Sequence, residues 1–81
     1  MPGKKQLLSA MEELAAQLDI KIRYEKTSAR GGLCRHNGKY QIIVDKKASE
    51  EFKLNVISEA LKNFDLSNLF ISPQLREYME L

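Results

Sequence analysis

Eighty-one residues, 43% apolar and 30% charged, make one small soluble globular domain and leave no room for a catalytic domain plus a regulatory one. No apolar run approaches the ~18 residues needed to cross a bilayer, and the basic start Met1–Lys5 runs into Glu12, Glu13 and Asp19 instead of a hydrophobic leader. The lone Cys34 cannot staple the fold, so the expected compartment is a reducing cytoplasm.

The first predicted element is an amphipathic helix over Lys4–Leu18. Leu7, Leu8, Met11, Leu14, Ala15 and Leu18 fall on one helical stripe, with Glu12, Glu13 and Gln17 off it. The period then changes to two. Ile20, Ile22 and Tyr24 alternate with Lys21, Arg23 and Glu25, as in a strand with one buried face. Thr27–Gly32 breaks the pattern as a loop. Leu33–His36 and Lys39–Asp45 flank Asn37-Gly38, whose two residues suit a type I′ turn and so predict a hairpin. Ser49 is placed to cap a second helix over about Glu50–Phe64. Its stripe is Leu54, Ile57, Leu61 and Phe64, widened by Val56 and Ala60. An apolar connector, Asp65–Ile71, precedes Ser72-Pro73, a cap and first-turn proline for a last short helix that would pack back through Leu75 and Met79 or Tyr78. No internal repeat or linker divides the chain. The predicted fold is α+β and two-layered: helix, three-stranded antiparallel meander, helix, short C-terminal helix.

A two-residue turn fixes the register. His36 then faces Lys39, Arg35 faces Tyr40, Cys34 faces Gln41 and Leu33 faces Ile42, and cross-strand partners share a face. Leu33, Tyr40, Ile42 and Val44 belong with Ile20 and Ile22 in the core. Lys21, Arg23, Cys34, His36, Lys39, Gln41 and Ile43 belong to the outer face.

Net charge is +2, too small to compel a polyanionic partner. Residues 1–40 nevertheless carry eight bases against four acids, and residues 41–81 five against seven. The densest basic stretch is Lys21–Lys39, a pattern that also serves a plain solvated surface. A basic sheet face is one route to nucleic acid, with Arg30, Gly31, Gly32 and Arg35 as the anion-holding set. Against it, sheets that read single strands stack bases on aromatics, whereas Tyr24 and Tyr40 point inward here. Arg30-Gly31-Gly32 matches no phosphate-loop pattern, and its glycines also serve simply to turn the chain. Cys34 and His36, the sole cysteine and histidine, lie about 7 Å apart along a strand. They lack the orienting group of a nucleophile pair and the further ligands of a zinc site. No cofactor and no metal are expected.

Leu18-Asp19-Ile20-Lys21-Ile22-Arg23-Tyr24, followed by a glycine-bearing hairpin, the strand Gly38–Asp45 and a second helix, resembles the core of ImmA/IrrE-type metallopeptidase domains over roughly residues 5–64. The resemblance implies a helix bearing His-Glu-x-x-His. The matching pentapeptide is Ser58-Glu59-Ala60-Leu61-Lys62. Glu59 stands in the general base's place, but Ser58 and Lys62 stand where zinc-holding imidazoles are required, and an ammonium there repels the ion. Zinc proteolysis is thereby excluded, and the resemblance implies a non-catalytic relative that kept the scaffold for binding. The expected function is therefore a small non-enzymatic domain that binds another protein or itself, as a homodimer, through the outer sheet face (Lys21, Arg23, Cys34, His36, Lys39, Ile43) or an edge strand. A nucleic-acid-binding module using the basic 21–39 region is the alternative, and a membrane is not an expected partner.

Overall fold

The computed structural model of the chain describes residues 3–26 and 31–81. The expected loop at Thr27–Gly32 falls largely outside them. In chain order the elements are α1 (Lys4–Gln17), β1 (Lys21–Glu25), β2 (Gly32–His36), β3 (Lys39–Asp45), α2 (Glu50–Leu61) and α3 (Pro73–Met79). Among the described residues, no helix is long and apolar enough to cross a membrane.

Helix ends follow the chemistry of their flanking residues. The Ser49 hydroxyl accepts from the Phe52 N–H at 3.1 Å, and Ser72 accepts from Leu75 at 3.3 Å with Pro73 in the first turn. Each covers an amide the helix leaves free. Glu50 and Glu51 lie at the positive end of α2. α1 stops in a Schellman turn. Asp19 takes the left-handed conformation (φ 58°), its N–H reaches the Ala16 carbonyl at 3.1 Å, and the Ile20 N–H reaches Ala15 at 2.9 Å. That reversal aims the chain directly into β1. Glu80 (φ 60°) closes α3 in the same way, with the Leu81 N–H bonded to Arg76.

The sheet is mixed, in the order β1-β3-β2. β2 and β3 are antiparallel with the expected register, His36 opposite Lys39 and Leu33 opposite Ile42. The turn between them holds Asn37 at φ 52° and Gly38 at φ 78°, the two positive values a type I′ turn requires. β1 departs from the expected meander. It lies on the far side of β3 and runs parallel to it, with Ile22 beside Ile42 and Tyr24 beside Val44. A meander would seat β2, with Gly32, Arg35 and His36, in the middle. The observed order seats β3 there, and Ile42 and Val44 have no solvent exposure. The strand with the longest apolar run takes the doubly flanked place, and the charged strands take the edges.

All three helices cover one side. α1 and α2 pack on each other, α2 rests on β3 and β2, α1 touches β1, and α3 closes against α1. The core between the layers is Leu7, Met11, Leu14 and Ala15 from α1, Leu54, Ile57, Ala60 and Leu61 from α2, Leu75 and Met79 from α3, with Ile20, Ile42, Val44 and Ile71. Each full-sized aliphatic side chain buried there contributes about 1.5–3 kcal/mol. Of the stripe read from sequence, Phe64 and Val56 are only half-buried. Phe64 lies beyond the end of α2 and meets the edge of the Tyr40 ring at 5.1 Å. Met79, not Tyr78, is the second anchor of α3.

Two tests follow from this packing. The Tyr24 hydroxyl donates to Glu12 Oε2 at 2.8 Å, and burial, then that hydrogen bond and the Glu12 charge, raise its pKa well above the usual 10.0. The folded state therefore holds the proton more tightly than the unfolded chain. The stabilisation is intact below pH 10 and drains away as pH rises further. Urea midpoints measured from pH 8 to 11 should fall more steeply for the native chain than for Tyr24→Phe. Gly31 has φ 75°, and a Cβ there would strike the Ile43 carbonyl oxygen, whereas Gly38 at φ 78° has open space. Gly31→Ala should cost more than Gly38→Ala, which carries only the ~1 kcal/mol scale of backbone strain. Equal losses on denaturation would contradict the close approach.

Candidate functional site

The side of the sheet opposite the helices has no element packed on it among the described residues. Side-chain alternation in the observed register assigns it Lys21, Arg23 and Glu25 from β1, Cys34 and His36 from β2, and Lys39, Gln41, Ile43 and Asp45 from β3. All six residues expected to meet a partner there, Lys21, Arg23, Cys34, His36, Lys39 and Ile43, do share this face. Ile43, half-buried, sits at the middle with Arg23 on one side and side-chain-less Gly32 on the other. Half-buried Cys34 lies beside Gln41 in the next row.

The face is less basic than expected. Glu25 and Asp45, neighbours at one end of it, set two carboxylates against Lys21, Arg23 and Lys39. Arg23 is ion-paired to Glu25, and its guanidinium also donates to Gln41 Oε1 at 3.4 Å. Lys39 lies 3.9 Å from Asp19. The Asp45 carboxylate is occupied by the Lys47 N–H at 3.0 Å. Cation and anion are interleaved, which gives a surface mixed charge rather than the single-sign field that draws in a polyanion. The strand pattern contained this information: Glu25 has the same parity as Lys21 and Arg23.

The second expected set, Arg30, Gly31, Gly32 and Arg35, is not seen as one site. Arg30 lies outside the described residues. Arg35 points to the helix side, its guanidinium 5.4 Å from the centre of the Tyr40 ring, and stands three residues along the strand from Gly32, about 10 Å by strand rise. The glycines serve the backbone: Gly31 passes tightly against β3. Tyr24 and Tyr40 lie on the helix side, so the outer face carries no aromatic platform.

A feature the sequence pattern did not single out lies along β2. This edge strand and α2 are separated by an open groove of about 600 Å³, lined by Leu33, Phe52, Val56 and Ala60, with Asn55 and Glu59 at its rim. Phe52 is 41% exposed there. Its position in the first turn of α2, four residues before Val56, was the available signal. Of the pentapeptide in α2, Ser58 is buried, Glu59 faces this groove, and Lys62 follows the last helical residue. No ion pair joins Glu59 to Lys62 among the described residues. No three His, Cys, Asp or Glu side chains of the described residues stand close enough together to hold a metal ion.

Elsewhere on the surface, Phe70 is presented to solvent, 79% exposed, on a backbone pinned at both polar atoms. Gln17 Nε2 donates to its carbonyl at 2.9 Å, and its N–H donates to Gln17 Oε1 at 3.2 Å. Its neighbour Ile71 goes inward. Compared with protein-family models, with curated proteins and with solved structures, the chain finds no match.

The alternation at 70–71 is directly testable. Phe70→Ser should change stability by no more than about 0.5 kcal/mol, whereas Ile71→Ala should cost about 2–5 kcal/mol. Thermal and urea unfolding of the two variants give the comparison.

Proposed function

We propose that the chain is a non-catalytic binding domain that engages another protein chain through the outer sheet face and the strand edge beside it. The observation that carries this reading is the one-sided layering. Among the described residues every helix lies on one side of the three strands, leaving an uncovered sheet whose middle row is Arg23, Ile43 and Gly32. An apolar centre ringed by charged and polar side chains is the layout of a protein-binding patch. Ile43 supplies the desolvated contact, Cys34 and Gln41 extend it, and Lys21, Arg23, His36 and Lys39 form the polar rim. A scaffold like that of the metallopeptidase core, with Ser58 and Lys62 in place of metal ligands, fits the same purpose. Nucleic acid is the weaker fit, because Glu25 and Asp45 dilute the charge and no ring is available for stacking.

A photo-reactive amino acid at position 43 tests the reading in living cells. Position 43 should give discrete adducts with protein, and the same group at exposed Glu13 on α1 should not. Equal labelling at the two positions, or nucleic acid as the main adduct, would refute it.

A further inference from the structure

The hairpin geometry decides which backbone groups of β2 are free. In a two-residue turn the flanking residues, His36 and Lys39, exchange both their hydrogen bonds, and the pattern alternates along the ladder. Cys34 opposite Gln41 and Gly32 opposite Ile43 are then bonded pairs. Leu33 and Arg35 therefore turn their N–H and C=O groups away from β3, toward the open edge. The ladder runs from Gly32 to His36 without a bulge, and β2 contains no proline, so two of the devices that block edge pairing are missing; a third, edge charge, is confined to Arg35, which is drawn over the Tyr40 ring. β1, the other edge, carries the Arg23–Glu25 ion pair.

The geometry points to a second copy of this chain as the occupant of this edge: two β2 strands pair antiparallel about a two-fold axis at Cys34, joining two sheets into one of six strands. The inference rests on the proposed binding role and names the partner. Three features favour a second copy over a foreign strand. First, hydrogen-bond parity closes on itself. With the axis at Cys34, outward-facing Leu33 meets outward-facing Arg35 of the other copy in both directions, and all five residues of β2 are paired. Second, like charges do not oppose each other. Each Arg35 faces a leucine and is drawn back over its own Tyr40. Third, the groove needs more than a strand to fill it, and the same surface carries the filler. α2 rests on β3 and β2, so pairing β2 with β2 brings the two α2 helices to the same side of the joined sheet, one on each side of the seam. Exposed Phe52 and half-buried Val56 of each copy enter the shared groove, whose polar lining is Glu59, Lys62 and Asn55, the last bonded to the Tyr78 hydroxyl. An isologous interface of this kind is the commonest arrangement of soluble oligomers.

Cys34 reports the register. At the axis it forms a non-bonded pair with its counterpart, Cα atoms about 4.5 Å apart, within the range a disulfide spans. Sedimentation equilibrium of the full chain under reducing conditions should give twice the 9.3 kDa chain mass. Copper–phenanthroline, which takes up the two electrons of the two thiols, should convert it to a covalent dimer at low protein concentration. Arg35→Pro removes an N–H that β3 does not use, and Phe52→Ser removes the groove filler without touching the core. Each should weaken self-association at least tenfold with the circular dichroism spectrum kept. A strict monomer at millimolar concentration, or a dimer that resists both oxidation and the two substitutions, overturns the inference. A monomer that still gives protein adducts at position 43 overturns the second copy alone and leaves the binding role standing. Loss of those adducts in a chain that dimerises through β2 does the reverse for the outer face.

Discussion

The arrangement depends on β3 holding the central place in the sheet. Its side chains alternate between two environments: Tyr40, Ile42 and Val44 toward the helices, Gln41 and Ile43 toward the other side. Because Ile42 and Val44 are fully enclosed, β3 must have helices above it and a strand on either flank. Once β3 is fixed there, β1 has no place left except the far flank. It runs parallel because residues 26–38, with β2 and its turn, serve as the long connection that parallel pairing demands. The charged edges and the uncovered side follow from the same choice. With the helices on one face of the three strands, the other face carries no element among the described residues.

Much of this was legible from residue pattern. The turn chemistry of Asn37-Gly38 fixed the register, and the register fixed which face each side chain takes. Ser49 and Ser72 announced their helices by cap chemistry. Strand order was not legible, because alternation assigns faces but not neighbours. Ile20, Ile22 and Tyr24 fit equally well beside β2 or β3. The decision came from competition for the doubly flanked position, in which a Val/Ile-rich strand outweighs one carrying Arg35 and His36. The electrostatics of the outer face were half legible. The cations were found from their parity, while Glu25 and Asp45, of the same parity, mattered only once β1 and β3 were adjacent. Arg35 reads as part of a basic run, yet its parity sends it to the Tyr40 ring. The groove beside β2 escaped because it is defined by two elements distant in sequence, with Phe52 at an ordinary exposed position of a helix.

The proposed site therefore has two parts of different physical character. The sheet face offers side chains: one aliphatic centre, a thiol, and charges already partly neutralised by neighbours. The β2 edge offers backbone, where pairing is insensitive to partner sequence and the groove supplies selectivity. A surface with both can bind tightly through its backbone and discriminate through Phe52 and Val56. Small domains gain most from such association, because burying an interface adds to a core that chain length alone keeps small.

The clamp between Gln17 and Phe70 bridges 53 positions of chain, and its consequence concerns the order in which the molecule comes apart. α3 leans chiefly on α1, and the tail from Leu66 onward is attached by the Gln17 amide, the Tyr78–Asn55 hydrogen bond, buried Ile71, Leu75 and Met79, and half-buried Leu66 and Leu69. Release of that tail is a sub-global opening that leaves the strand ladder intact. It strips one flank of α1 and leaves the sheet zipped, so protection against hydrogen exchange should grade downward from β3 to the last helix.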